Sequence, residues 1–310
     1  MKNILVSGAS GVVGYGILKS LRELDDVFLV GTSIYPDSVA PAFCDVFEQV
    51  LPTNDPGYIN QLIGILLKHD IDMMIPGIDD DMYKWNENRN ILQYSDAYPL
   101  LNKKDLIELC NDKWEFYKKI SDKPYAIDSA LGSYFEYFSR NYGLPFIQKP
   151  RHGFGSKGVK KVDSIYGFDS ELISQPIVGT DDEEYTTSVF ADGEGSYWTS
   201  MTLKRKLSKD GYTEKAEVVH LDEIQEAIKD LCKIFKPLGP TNFQFRKQEK
   251  QVKLLEINPR ISSSTSIRSA FGYNESEMAV EYFLEGKIPV QPEIRQGKAV
   301  RYIEDKIFYV

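Results

Sequence analysis

Cysteine and histidine are scarce in this chain, with three of each among 310 residues. Cys44, Cys110 and Cys232 lie far apart, and no CxxC spacing occurs. That excludes a disulfide framework and argues against a zinc site built from clustered Cys and His. No stretch approaches the ~18 consecutive apolar residues of a membrane span. Basic residues are outnumbered, 37 Lys and Arg against 46 Asp and Glu, for a net charge of −9. Such a surface suits nucleic acid poorly, because phosphates ask for a basic field. Residues 1–10 run straight into a strand and a turn, without signal-peptide anatomy. The expectation is a cytoplasmic protein with reduced cysteines and with neither a membrane nor a nucleic-acid partner.

The length exceeds one ordinary core and suits two or three packed units. Residues 1–101 alternate between strand and helix patterns. Strands are expected at 4–7, 27–31, 71–76 and 98–101, and helices at 12–24, 56–68 and 79–92, with Asp55 capping the second. That alternation predicts a doubly wound parallel sheet. Beyond residue 102 the texture changes. Helices are expected at 103–120 and 133–141, and two short strands, 145–148 and 159–162, flank a glycine-rich loop. Strands then dominate at 172–178, 184–191, 197–207 and 215–220. An amphipathic helix at 221–235 leads to a hairpin of 241–246 with 252–258, turning at 247–251.

Three motifs carry chemistry. The first, Ser7-Gly8-Ala9-Ser10-Gly11-Val12-Val13-Gly14, is a strand–turn–helix with dinucleotide-like glycine spacing. Read functionally, it would make a NAD(P)-dependent Rossmann oxidoreductase. Read structurally, it is a tight turn that lets helix and strand pack. The second strand ends in Val30, Gly31, Thr32 and Ser33, with no acid to hold an NAD ribose, which favours the turn. In the second motif, Lys149 ends a strand and is followed by Gly153, Phe154, Gly155, Ser156, Lys157 and Gly158. Backbone N–H groups of such a loop can wrap a polyphosphate, with the lysine at its root offsetting charge. The loop is expected to close over nucleotide with Phe154 as a latch. In the third, Glu256 and Asn258 stand two apart on one strand, with Gln244 on its hairpin partner and Arg260 two residues on. One carboxylate and two amide oxygens are hard ligands suited to Mg²⁺, and Arg260 can reach a phosphoryl group.

Lys149 with its glycine loop, followed by Glu256, Asn258 and Arg260, resembles the ATP-grasp superfamily. The resemblance is closest to the carbamoyl-phosphate synthetase-like branch and its stand-alone carboxylate–amine ligases. It covers essentially the whole chain and implies an α/β architecture in three parts. Residues 1–101 would be a Rossmann-like pre-ATP-grasp domain, 102–178 a small ATP-grasp subdomain with the glycine loop, and 179–310 a large antiparallel subdomain with the metal site. It further implies ATP with Mg²⁺, or Mn²⁺ in its place, and an ADP-forming ligation of a carboxylate to an amine through an acyl phosphate. Lys113, Lys149, Gly153, Gly155, Ser156 and Gly158 would touch phosphate. The Gln175 carbonyl and the Ile177 N–H would meet the adenine edge, and Glu184 the ribose. Gln244, Glu256 and Asn258 match the metal positions, and Arg260 the phosphate-stabilising arginine. Arg205 and Arg268 are candidates to hold a substrate carboxylate, with a surface salt bridge as the alternative for each. Partners would be small-molecule carboxylates and amines, and a homodimer is compatible with the family. A regulatory nucleotide-binding protein without turnover is the non-enzymatic alternative. Where carbamoyl-phosphate synthetase has a second arginine, this chain has Ser263, which argues against bicarbonate as substrate.

Overall fold

The computed structural model describes residues 1–153, 158–209 and 211–308. The loop positions Phe154, Gly155, Ser156 and Lys157 therefore lie outside the described residues, and so does the expected latch.

The first sheet holds β1 (Lys2–Val6), β2 (Val27–Ser33), β3 (Val46–Gln49), β4 (Met73–Ile75) and β5 (Tyr98–Pro99). All pair in parallel, in the order β3-β2-β1-β4-β5. Of its seven residues, β2 buries all but one fully, as a strand covered on both faces must. Helix α1 (Val12–Leu21) covers one face, and α2 (Tyr58–Lys68) and α3 (Asp79–Glu87) follow in the crossovers, before the short α4 (Arg89–Leu92). Helix α2 starts two residues later than expected, because Asp55 accepts from the Gly57 N–H (2.7 Å) and holds a turn ahead of it.

The glycines after β1 serve close packing. A Cβ on Gly14 would stand 2.3 Å from the Gly8 carbonyl oxygen, and one on Gly77 would stand 2.1 Å from that of Ser7. Only a bare backbone fits where α1, β1 and the turn after β4 converge.

The expected helix 103–120 is two helices, α5 (Lys104–Asn111) and α6 (Lys113–Ile120). Asp112 separates them in extended backbone and caps α6, accepting from Trp114 N and Glu115 N at 3.1 Å each. Helix α7 (Phe135–Tyr142) precedes a three-stranded antiparallel sheet of β6 (Phe146–Lys149), β7 (Lys160–Val162) and β8 (Ile173–Pro176), ordered β7-β6-β8.

The large sheet contains β9 (Glu184–Asp192), β10 (Tyr197–Leu207), β11 (Thr213–Val219), β12 (Leu238–Gln248), β13 (Gln251–Asn258) and β14 (Lys298–Val300). Its order is β13-β12-β9-β10-β11-β14. Helix α8 (Asp222–Phe235) packs on one face through Ile224, Ala227, Ile228, Leu231 and Phe235, an i, i+3, i+4, i+7, i+11 stripe. Tyr185, Val189, Phe243, Phe245, Leu254 and Ile257 answer it from the sheet. Helices α9 (Thr265–Ala270) and α10 (Glu275–Glu285) pack against α1, so the core of the first sheet runs on into the large one.

Strand β13 departs from strict alternation. Phe245 pairs with Leu254 and Gln244 with Glu256, leaving Leu255 as the extra residue of a β-bulge. In a regular strand Glu256 would share the face of Leu254, which is buried against α8. The bulge moves Glu256 and Asn258 to the opposite face, beside Gln244, and leaves Ile257 to fill the core.

Candidate functional site

A cleft of about 710 Å³, its mouth included, opens between α6, the strand ends at Lys149 and Gln175, and edge strand β13. Helix α6 turns Lys113, Phe116, Tyr117 and Ile120 into it, an i, i+3, i+4, i+7 row. With Ile127 and Leu254, that row supplies the apolar lining. Lys149, Glu256, Asn258 and Asp79 supply polar groups.

The two lysines are held in place by local structure. Lys113 donates its Nζ to the Gly153 carbonyl and its backbone N–H to that of Arg151 (2.9 Å). Arg151 forks onto the Asp112 carboxylate, Nε at 2.8 and 2.9 Å and Nη2 at 2.6 Å. That pairing lowers the Asp112 carboxyl to about 2. The N-terminal end of α6 and the entry to the glycine segment are thus tied together. Lys149 ends β6 half-buried. Burial lowers its ammonium to about 8, with Glu256 opposing the drop and Lys113 adding to it. Lys113 is also lowered by burial, against the pull of Glu256 and Asp112. Two cations and one carboxylate therefore share one electrostatic neighbourhood.

Glu256 and Asn258 line the cleft, and the Asn258 amide donates to Glu256 Oε1 (3.1 Å). The second Glu256 oxygen and the Asn258 side-chain oxygen have no protein donor among the described hydrogen bonds. These two hard oxygens fit a magnesium ion. Gln244 fits less well, because its Oε1 accepts from Arg205 Nη2 at 2.5 Å, which brings a cation onto that oxygen. Among the described residues, no group of three or more His, Cys, Asp or Glu could hold a metal. Any cation here would rest on Glu256, amide oxygens and phosphate.

Several expected roles are displaced. Ser174 exchanges both backbone hydrogen bonds with Ala130, at 3.0 and 2.8 Å. Strand alternation then turns the Gln175 backbone the other way, toward Ile147 of β6. The Gln175 carbonyl belongs to the sheet, and it is the side chain that lines the cleft, donating to Ser129 Oγ (2.6 Å). Ile177 is solvent-exposed and is absent from the lining. Glu184 is buried between Arg205 (2.8 and 3.1 Å) and Arg246 (3.0 Å), so its carboxylate is already satisfied. Arg205 is consumed in the same cluster. Arg268 is fully buried with Glu275 as ion partner (2.9 Å), and it also donates to Asn242 and Thr186. Neither arginine is free for a substrate carboxylate, and neither sits in a surface salt bridge. Gly153 lines the cleft, and Gly158 adopts φ +74° against Pro150.

Arg260 stands at the junction with the first sheet, Nε and Nη2 each 2.7 Å from the Asp79 carboxylate. Sequence reasoning missed Asp79, Tyr83 and the apolar wall. The row 113, 116, 117, 120 was a readable signal of a shared helix face. Asp79 carried none, since its partner lies 181 positions away.

A second hollow lies at the C-terminal edge of the parallel sheet, lined by Ser10, Ser33, Thr53 and Asp80 among others. Tyr83 borders both hollows. No helix among the described residues is long and apolar enough to cross a membrane.

Residues 177–306 match the family described as ATP-grasp in the biosynthetic pathway with Ter operon. No curated protein matches the chain. Among solved structures, it is similar to N5-carboxyaminoimidazole synthetase from Staphylococcus aureus complexed with ADP, with TM-score 0.73 and 16% identity over 94% of this chain and 80% of that one. It is also similar to the biotin carboxylase–β,γ-ATP complex from Campylobacter jejuni, with TM-score 0.73 and 16% identity over 96% and 74%. N5-carboxyaminoimidazole ribonucleotide synthetase from Thermotoga maritima superposes with TM-score 0.66 at 14% identity, over 94% and 78%. Residues 177–306, which hold the large antiparallel sheet, match an ATP-grasp family, and the likeness to these solved structures is one of fold over nearly the whole chain.

Proposed function

We propose that this protein is an ADP-forming ligase that activates a carboxylate with ATP and joins it to an amine. The carrying observation is that Lys113 and Lys149 converge with Glu256 and Asn258 in one cleft that also has an apolar wall. An apolar wall suits a base, paired ammonium groups suit a polyphosphate, and free hard oxygens suit its counter-ion. The solved relatives complexed with ADP and β,γ-ATP support the same reading.

Bound magnesium would neutralise phosphate charge and polarise the transferring group. The protein's part is positioning and electrostatics. Lys113 and Lys149 hold the phosphates, Glu256 and Asn258 orient the cation, and Arg260 meets charge that develops on the phosphoryl oxygens. The substrate carboxylate attacks the γ-phosphate to form an acyl phosphate and ADP, and the amine then displaces phosphate. The hollow behind Tyr83 gives the second substrate room beside the phosphate end. We take residues 1–101, 102–178 and 179–310 as the three working parts.

A screen for ATP-dependent phosphate release over amino acids, sugar acids and amines tests the activity. Calorimetry showing tight NAD binding and none of Mg-ATP would overturn it. Mg-ATP binding with no release under any substrate pair would leave a regulatory nucleotide-binding protein.

The lysine at the loop root makes a pH prediction. With its ammonium near 8, Lys149 is charged below that pH and loses its proton above it. Phosphate favours the charged form, so ATP affinity should be full below pH 8 and fall as pH rises beyond, by at most ~10-fold per unit. Lys149→Arg, always charged, should flatten the profile. A wild-type affinity constant from pH 7 to 9.5 would remove Lys149 from the phosphate site.

A further inference from the structure

Asp79 belongs to none of the three sequence motifs, yet it lines the cleft from the side of the first sheet. It is the first residue of α3, where the unpaired N–H groups of the helix favour a carboxylate, and Asp80 and Asp81 follow it. Its two oxygens take Arg260 side-on, one from Nε and one from Nη2, at 2.7 Å each. Arg260 Nη1 donates to the Ile261 carbonyl at 2.8 Å. Both partners of the ion pair are largely buried, with 11% and 13% of their side chains exposed.

A guanidinium has five N–H groups. These contacts use three of them and leave one on Nη1 and one on Nη2. The arginine is therefore immobilised without being exhausted. Arg260 flanks the cleft rather than lining it, directly following Asn258 and Pro259 of the lining, and Glu256 lies within electrostatic reach of its guanidinium.

We propose that Asp79 is the positioning residue for Arg260, by which the N-terminal sheet supplies part of the phosphoryl-transfer site. This rests on the ligase reading above. A long arginine side chain held by one carboxylate at a helix terminus loses its rotameric freedom before substrate arrives. Its donors are then aimed at developing charge at no reorganisation cost in the reaction. A free Arg260 would have to be ordered at each turnover. The pair also links alignment of the two domains to chemistry, since any shift of α3 moves the guanidinium.

The test uses the full chain and needs no knowledge of the acceptor. Binding of Mg-ADP is compared with binding of Mg-ADP plus aluminium fluoride, which mimics the transferring phosphoryl group. For Asp79→Asn, Mg-ADP affinity should stay within about 2-fold, while the fluoride complex weakens ~10- to 100-fold. Arg260→Lys should show the same pattern, and the double variant should be no worse than Arg260→Lys alone. Thermal melting identifies a variant that has lost its fold, and Asp79→Glu, which keeps the charge, should recover part of the fluoride-complex affinity. Equal weakening of both complexes would show a structural role only, and additive losses would break the link to Arg260. Tighter fluoride binding by Asp79→Asn would make Asp79 a competitor of phosphate. Each of these three results overturns the proposal. A wild type that binds neither complex would instead overturn the ligase reading, and this proposal with it.

Discussion

Glu256→Ala is expected to abolish turnover, with a loss beyond ~100-fold, and to weaken magnesium-dependent ATP binding while the protein stays folded. The carboxylate is the only one among the expected metal donors, and its one described side-chain partner is the Asn258 amide at 3.1 Å. Removing it leaves Asn258 and an amide oxygen already engaged by Arg205, a poor site for a hard divalent cation. The same removal disturbs no core contact, because the bulge at Leu255 has moved Glu256 away from the α8 face. The stability cost should therefore stay within ~1 kcal/mol, as for positions outside the core and its networks. Titrating magnesium against ATP binding, beside an unfolding curve, checks both halves. Near-normal activity in a purified, folded variant would show that the cation is held elsewhere.

The second large effect is on stability. Glu275→Ala should destabilise the protein by roughly 3–5 kcal/mol, because it strands the fully buried Arg268 without its carboxylate. Ser188 also donates to Glu275, and Arg268 extends the network to Asn242, Thr186 and Ser262. These contacts fasten α9 and α10 to the face of the large sheet on which the cleft residues stand. Replacing both charges, as in Glu275→Met with Arg268→Met, should cost much less than either single change, since the penalty lies in leaving one charge unpaired. Urea unfolding of Glu275→Ala, of the two single methionine variants and of the double variant decides it. A Glu275→Ala midpoint equal to wild type would return Arg268 to the list of substrate-binding candidates.

Much of the architecture could be read from period alone. Continuous apolar runs at β1 and β2 separated by a helical pattern imply a parallel sheet. Part of the cleft lining was also readable, since Lys113, Lys149, Glu256 and Asn258, each singled out by a sequence motif or the resemblance, meet in it. Boundaries failed where side chains compete with the backbone. Asp112 cut one expected helix in two by capping the second half, and Asp55 delayed α2 by holding a turn. Strands β3 and β14 were missed because each is short and becomes a strand only through its neighbour in the sheet.

Which arginines remain free could not be read at all. Arg205, Arg260 and Arg268 are alike in sequence, each a cation near other polar residues. Glu184, Asp79 and Glu275 choose among them, at separations of 21, 181 and 7 positions.

Local sequence by itself determined the class of fold and the kinds of atoms at the site, because periodicity and ligand chemistry are properties of neighbouring residues. Tertiary structure decided where those atoms point. Equal spacing of Leu254, Glu256 and Asn258 would put all three on one face, and only the registry with Phe245 and Gln244 forces the bulge that separates core from cleft. The physical reason is that a strand chooses its faces by what packs against it. Both the packing partner of Leu254 on α8 and the ion partner of Arg260 on α3 come from elsewhere in the chain.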